Sequence, residues 1–573
     1  MNKIIKINIA LLLSLIPWIS FSQTNDTIKK TLNESVIIKA QFDPVINDAY
    51  KILESPNIID TSFAVPNFSY EIINKIFPVK MEIEGINPAK VKGEPLDMLY
   101  NGNIKAGIGT YLTPYIDLSY GETRNRTLIY SAQMRHYSSF WSIADYGKSH
   151  FSNTDINLYA KKLWDRFAVD ARLYYDNSQN YYYGFLKDSV PMESKDYKMS
   201  WNNIGFQANY SSLYRNDKSL HHKISFFVEN LSGKYGLKET SIGLNADGNK
   251  KFRLFGNDMQ KIGLNIDYTQ RFDAFEISFD SLAPFFAPPN PLYERTPSSK
   301  YNSGLASIKP YMDFKVKKFE LHTALAFVPE FGRESNFHVL PTAIVNFPII
   351  NQKLFFKGGL NSIAERVSLN YYRKENPYIS PYQDLEITKK NQIFAGLNSN
   401  LFPNLSFGAE LGYEYYFNHH FYDIDPYANY NNMFRIIYDD VSRFYAKANI
   451  SYNYQKSFRI EGEVVYQDYI TDSLSFAYYK PKLMASMSLE YIPAEKLVFS
   501  LNPVFKSKSK TMVLNKEVEL SPIIDINLSV EYKYSDQARF FLRLNNLAFQ
   551  RYQYYYNYPS QRFMGMIGLS FSF

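Results

Sequence analysis

From about residue 101 to its last residue, the chain alternates apolar and polar positions in twos. In the stretch PIIDINLSVEYKY, Ile524, Ile526, Leu528, Val530, Tyr532 and Tyr534 fall on one side, and Asp525, Asn527, Ser529, Glu531 and Lys533 on the other. The end of the chain, QRFMGMIGLSFSF, repeats the pattern: Phe563, Gly565, Ile567, Leu569, Phe571 and Phe573 oppose Met564, Met566, Gly568, Ser570 and Ser572. A period of two predicts β-strands. In residues 443–467 two such runs flank a polar turn near Lys456, which predicts a hairpin.

Strands this long, with one oily and one charged face, fit a sheet that has hydrocarbon on one side and water or protein on the other. In lipid every backbone N–H and C=O must be paired, so such a sheet has to close on itself. Polar connections near residues 122–126, 164–166, 213–219, 314–317, 348–352, 403–404, 455–457, 492–495 and 535–538 are short. Those at 178–196, 275–300, 364–390 and 418–440 are long and rich in Tyr, Asn, Asp and Pro. Short turns alternating with long loops predict an all-β transmembrane antiparallel β-barrel of about 22 strands, short turns and both barrel ends on the periplasmic side. Residues 234–260 are the least regular part of that count, and NADGNK at 245–250 reads as a turn.

Composition supports the membrane reading. Aromatic residues are 17% of the chain, with 49 Tyr and 44 Phe, more than a soluble core uses. A membrane interface accommodates the surplus, because a Tyr ring can lie at headgroup depth with its hydroxyl in water. Beyond the N-terminus no run of eighteen apolar residues offers a transmembrane helix. Residues 1–22 read as a signal peptide for Sec export: Lys3 and Lys6 precede an apolar stretch, and Ser20 and Ser22 frame a cut before Gln23. No cysteine follows, which excludes a lipid anchor, disulfides and thiol chemistry. A net charge of +7, with 56 acidic residues among 63 basic ones, does not suggest nucleic acid. Residues 23–100 lack clean periodicity and read as a small periplasmic or lumen-filling segment before the barrel at 101–573.

The terminal stretch LRLNNLAFQRYQYYYNYPSQRFMGMIGLSFSF resembles the end of TonB-dependent receptor barrels, in Asn546, Leu547, Tyr552, Pro559, Arg562 and the closing Phe573. The resemblance implies a 22-stranded barrel of the transporter kind, with Phe573 as a signal to the barrel-assembly machinery. The segment before the first strand is shorter than the plug of that family, so the chain is expected to lack a full-length plug, and 32–40 is the nearest stretch to a TonB contact. The leader and the Tyr/Asn/Lys-rich style look similar to outer-membrane proteins of Bacteroidetes.

Two functions compete. One is a transporter or gated pore in a Gram-negative outer membrane, with Arg443, Lys447, Glu461, Glu463, Asp525 and Glu531 lining the lumen. A barrel this wide needs a filling, from the N-terminal segment, from inward-folded loops such as 275–300, or from a partner protein. The other is a non-transporting barrel that serves as scaffold or accessory subunit of a larger complex, with a surface lipoprotein or other envelope proteins as partners. The Tyr clusters SQNYYYGF and YQYYYNYP read as interface anchors, as sugar platforms, or as an outer aromatic girdle. No catalytic motif or cofactor site is evident, and the chain does not read as an enzyme. His419 and His420 on an extended chain point opposite ways. Asp423, Asp425, Asp439 and Asp440 are the one set of acids suited to a calcium-stabilised loop.

Overall fold

The computed structural model describes residues 100–573 except 123, 190–192, 215, 217–218, 254–258, 277–297, 333–334, 382, 427 and 429. The leader, the segment 23–99 and most of the loop 275–300 lie outside the described residues. Twenty-two strands form one antiparallel sheet closed on itself. The alternation dictates the faces. Ile567, at 62% exposure, points outward with Leu569 and Phe571, while Met566 and Ser570 are buried on the inner face. The same parity runs round the wall, with Ile104, Ile116, Ile204, Ile224, Leu244, Leu264, Ile393, Leu411 and Ile524 exposed on the outer face.

Closure joins the first strand, Gly102–Gly109, to the last, Met564–Ser572, from Asn103↔Ser572 to Gly109↔Met566. Three features hold this seam. The Asn103 amide donates to the hydroxyls of Ser570 (3.0 Å) and Ser572 (2.9 Å). The Phe541 ring covers Gly107 and Gly568, where a Cβ on Gly568 would sit 2.1 Å from a ring carbon. At the chain end, the Phe573 N–H donates to Gly102 O and the Phe573 carbonyl accepts from Asn101 and Gly102, each at 2.9 Å. The terminal aromatic residue is therefore paired through its backbone, and its ring lies across Gly102, where a Cβ would come within 2.3 Å of it.

Strand length varies round the wall. Near the seam, strands such as Thr113–Gly121 and Ala538–Asn545 have 9 and 8 residues, close to what a tilted strand needs to cross a bilayer. On the far side Leu405–Ile424 and Phe434–Tyr454 reach 20 and 21 residues. These strands extend past the membrane on the long-loop side and carry the loops above it.

The expected turn at 245–250 is not there: those residues lie within the strand Leu237–Arg253. Asn, Asp and Gly favour turns locally, but this stretch pairs with His221–Gly233 on one side and Met259–Glu276 on the other. A ladder on both edges outweighs local propensity.

Candidate functional site

Among the described residues, the loops and strand ends around 182–185, 378–380, 430–436 and 555–558 meet at one end of the barrel. The loop after Arg366 carries a helix, Leu369–Glu375. The Ser368 hydroxyl caps it by accepting from the Tyr371 N–H (3.1 Å). The wall holds this helix and the residue Arg366 just before it through four acidic residues. The Leu369 N–H donates to Glu239 (2.9 Å), Asn370 hydrogen-bonds Glu229, and Arg373 and Lys374 pair with Asp176 at 2.9 and 3.0 Å. Just before the helix, Arg366 pairs with Asp273 at 3.3 Å. On their strands these acids have the opposite parity to the exposed Leu173, Phe226, Ile242 and Phe272, so the helix docks inside the mouth.

Above and beside the helix lies a core of buried side chains drawn from several loops and strand ends. It includes Tyr182, Tyr183, Phe185, Trp201, Tyr372, Ile379, Met433, Phe434 and Tyr558. Tyr378 and Tyr558 stack at 3.5 Å between centroids, and Tyr183 meets Tyr558 edge-on at 4.9 Å. Four Tyr hydroxyls reach a carbonyl of a different loop. Tyr182 donates to Ile379 O (2.8 Å), Tyr183 to Pro559 O (2.9 Å), Tyr558 to Asn432 O (2.5 Å) and Tyr555 to Glu375 O (3.0 Å). Asn432 in turn donates to Tyr182 O (2.9 Å). Residue Ile379 bridges Phe434 in parallel, with Phe434 donating to Tyr378 O and Ser380 to Phe434 O. Burial raises the hydroxyls of Tyr183, Tyr555 and Tyr558 well above their ordinary value and that of Tyr378 to about 12, so all four stay protonated.

The electrostatic centre of the cap is Glu375. Burial alone would raise its carboxyl, but Lys480 at 3.8 Å and hydrogen bonds with His420 (3.0 Å) and Tyr422 (2.9 Å) outweigh it and hold the group at about 2. Three strands or loops thus meet on one carboxylate. Between the returning leg of the loop and the wall lies a cavity of about 390 Å³, lined among others by Asp273, Ser303, Glu330, His338, Arg366 and Glu386.

The six residues expected to line the lumen all lie on the inward-facing side. Five of them form ion pairs along the wall: Arg443 with Glu414 (2.8 Å), Lys447 with Glu463 (2.5 Å), Glu461 with Arg459 (2.5 Å) and Glu531 with Lys105 (3.7 Å). Tyr552 donates to Asp525 at 3.1 Å. These pairs lie along the wall, away from the Tyr core, and are not gathered into one site.

The terminal motif has structural work. Asn546, in the left-handed region at φ 52, donates to Gln550 O (2.7 Å) and Gln561 O (3.1 Å) and clasps the two ends of the last long loop. Leu547 N–H donates to Ile526 O (2.9 Å), and Pro559 O accepts from Tyr183. Arg562 is exposed.

The four candidate calcium acids are engaged separately. Asp423 pairs with Arg435 (2.7 Å), Asp439 accepts from the N–H groups of Ser473 and Leu474, Asp440 accepts from Asn418 N–H, and Asp425 is buried. Among the described residues no group of three or more His, Cys, Asp or Glu has metal-holding geometry. Both histidines are buried, and each meets its own set of rings: His419 packs against Tyr416, Phe421 and Tyr469, and His420 against Tyr372 and Tyr422 beside Glu375.

Sequence reasoning missed the cap. Its trace is the Tyr density of two stretches distant in sequence, 178–185 and 552–559, which gives no period to read.

No known family profile matches the chain, and no curated protein sequence does. Solved structures do. The fold is similar to FpvA of Pseudomonas aeruginosa bound to pyoverdine (12% identity, TM-score 0.63, 83% of this chain and 72% of that one). It is similar to the FrpB iron transporter of Neisseria meningitidis (10%, 0.63, 83% and 82%) and to the ferric-catecholate import receptor Fiu of Escherichia coli K12 (9%, 0.62, 83% and 82%). These neighbours are TonB-dependent receptors, and at such identities the likeness establishes a shared fold.

Proposed function

We propose that this chain is a transporter or gated pore of a Gram-negative outer membrane, in which the stretch 367–386 is the gate and the Tyr core holds it shut. The observation that carries the reading is the docked helix. Its anchors are ion pairs and hydrogen bonds to the inner wall, bonds that a change of solvent or solute can exchange, over a polar lumen on a fold shared with import receptors. In this reading Arg443, Lys447, Glu461, Glu463, Asp525 and Glu531 contact whatever crosses or fills the lumen. Residues 1–22 are removed as a Sec leader, 23–100 lie in the periplasm or the lumen in place of a full-length plug, and 101–573 are the barrel. The closing Phe573 serves the assembly machinery, and the host belongs to the Bacteroidetes.

Planar-bilayer recording of the purified full chain tests this. Replacing 369–381 with a Gly-Ser linker should convert a quiet barrel into one with stepwise conductance, and a further deletion of 23–100 should enlarge the steps. A barrel that stays silent after both changes contradicts the gate.

A second reading is an accessory barrel that never opens. The observation that favours it is the full burial of Tyr182, Tyr372, Ile379, Met433 and Phe434 in the cap, more like a permanent core than a hinge. Gentle detergent extraction from the native membrane separates the two: stoichiometric recovery with other envelope proteins favours the accessory subunit, and a solitary barrel, or one joined to a surface lipoprotein, favours uptake.

A further inference from the structure

The short-turn end of the barrel is charged unevenly. Three neighbouring hairpin ends carry, among the described residues, Lys250 and Arg253, then Lys315, Lys317 and Lys318, then Lys353. Their strands pair one after another round the wall, from Leu237–Arg253 to Leu354–Arg366. Neighbouring tips are therefore two strand spacings apart, about 10 Å. Among the described residues of 250–253, 315–320 and 350–353 the one carboxylate is Glu320, and Lys315 takes it at 2.7 Å. Lys250, Arg253, Lys318 and Lys353 are exposed and make no ion pair among the described residues. The next tip along the rim, Pro403 and Asn404, has no charge, so the basic arc has an edge.

Oily side chains share this arc. Exposed Val316 and Phe319 flank Lys317 and Lys318, exposed Ile349 and Ile350 precede Lys353, and exposed Ile262 pairs with Lys250. Lys250 has the parity of Ile242 and Leu244, which puts it on the outer face of the wall. Phe319 stacks on Phe347, and Phe347 meets Phe356 at 5.0 Å, so a run of rings continues beside the tips. An acidic soluble protein would match the charges and leave these side chains in water. A bilayer of anionic phospholipid matches both. The rings and aliphatic groups lie at the edge of the hydrocarbon, and the long stems of the bases reach past them to phosphate.

We propose that this arc is a docking surface for the headgroups of anionic phospholipids, whose phosphates Lys250, Arg253, Lys318 and Lys353 hold. The surface is independent of the gate: a barrel that never conducts would still bind the lipid, and a gated pore without the arc would not.

The test reconstitutes the full chain in phosphatidylcholine bilayers. Spin-labelled phosphatidylglycerol and phosphatidylcholine with the same acyl chains are followed by electron paramagnetic resonance, which measures the lipid held at the protein. Phosphatidylglycerol is expected to be held about fivefold more strongly, the weight of one base at an anionic surface. The preference should fade at about 0.5 M salt, where charges are screened over a few ångströms. The fourfold variant Lys250→Gln, Arg253→Gln, Lys318→Gln, Lys353→Gln should bring the two lipids to parity in protein whose heat-modifiable gel shift shows an intact barrel. Lys187→Gln, Lys508→Gln, Lys510→Gln and Lys516→Gln, made together at the loop end, remove the same charge and should leave the preference unchanged. Should the rim variant fail to assemble, Lys318→Gln with Lys353→Gln, both confined to turns, should at least halve the preference. Equal retention of both lipids by the parent, a preference that survives the rim variant, or one lost equally in the loop-end variant would overturn the proposal. So would displacement of the lipid by inorganic phosphate at constant ionic strength, which assigns the arc to free phosphate. Rim-dependent binding of polyglutamate without any lipid preference would overturn it in favour of an acidic protein.

Discussion

Tyr534 lies in a short turn with 66% of its surface open, and Tyr558 lies in a long loop with 4%. The first belongs to a belt of rings at the turn end of the outer wall, with Tyr454, Tyr491 and Phe540, where an aromatic ring lies at the edge of hydrocarbon and a phenol keeps its hydroxyl in water. The second belongs to the cap, where the rings are buried and several hydroxyls reach a carbonyl of another loop. One side chain thus does two different jobs. In the belt the ring is the functional part and the hydroxyl is incidental to folding. In the cap the hydroxyl chooses the partner, since Tyr182, Tyr183, Tyr555 and Tyr558 each name one carbonyl on another loop. The surplus of aromatic residues therefore has two destinations, and only one of them faces lipid.

That contrast can be broken at several strengths. The largest effect is expected from Tyr558→Ala, which removes the stack on Tyr378, the edge contact with Tyr183 and the bond to Asn432. Loss of a buried aromatic costs about 3–5 kcal/mol. The loops should become sensitive to protease by two orders of magnitude or more while the barrel keeps its heat-modifiable gel mobility.

Next in size is acid. The Glu375 carboxyl, with an ordinary value of 4.5, is held at about 2 in the closed cap. A depressed carboxylate stabilises the closed form above its ordinary value and loses that contribution as pH falls from about 4.5 through about 2, amounting to about 3 kcal/mol. Hydrogen exchange of the loops should accelerate across that window, and Glu375→Gln should abolish the pH response while exchange at pH 7 rises.

Smaller still is Tyr558→Phe. The ring stays, and Asn432 O loses its donor, which costs about 1–3 kcal/mol. Protease sensitivity should lie between that of the parent and that of the alanine variant. If phenylalanine were harmless, the hydroxyls would not be choosing partners, and the distinction between cap and belt would fail. The smallest effect is expected from Tyr534→Ala in the belt, within about 0.5 kcal/mol as for exposed positions generally, read as an unchanged urea midpoint in micelles.

The barrel was legible in the chain because lipid imposes a rule on every strand. Parity along 524–534 or 563–573 assigns a face to each residue, and the spacing of short turns orders the strands. The inward placement of Arg443, Lys447, Glu461, Glu463, Asp525 and Glu531 follows from the same parity. Where a second force competes, the rule weakens. At 245–250 local turn propensity misled, because pairing on both edges is invisible in a single segment. The cap was legible only as a need for a filling that inward-folded loops could supply; its residues were not. Tyr183 meets Pro559, and Asn180 meets Pro377, across separations that leave no periodic mark, and the Tyr clusters announced only that something aromatic gathers there.

The claim beneath all of this is that the cap is a closed, water-free core above a barrel whose oily side faces lipid. The chain has no cysteine, so single cysteines report cleanly. Leu514, 76% exposed at the tip of the hairpin between Ser509 and Leu520, and Phe434, fully buried in the cap, should be replaced singly by Cys, and intact cells treated with a membrane-impermeant maleimide. The expected result is rapid labelling of Leu514→Cys and none of Phe434→Cys until the cap is loosened by Tyr558→Ala. Equal labelling of both in the otherwise unaltered protein would contradict the closed cap.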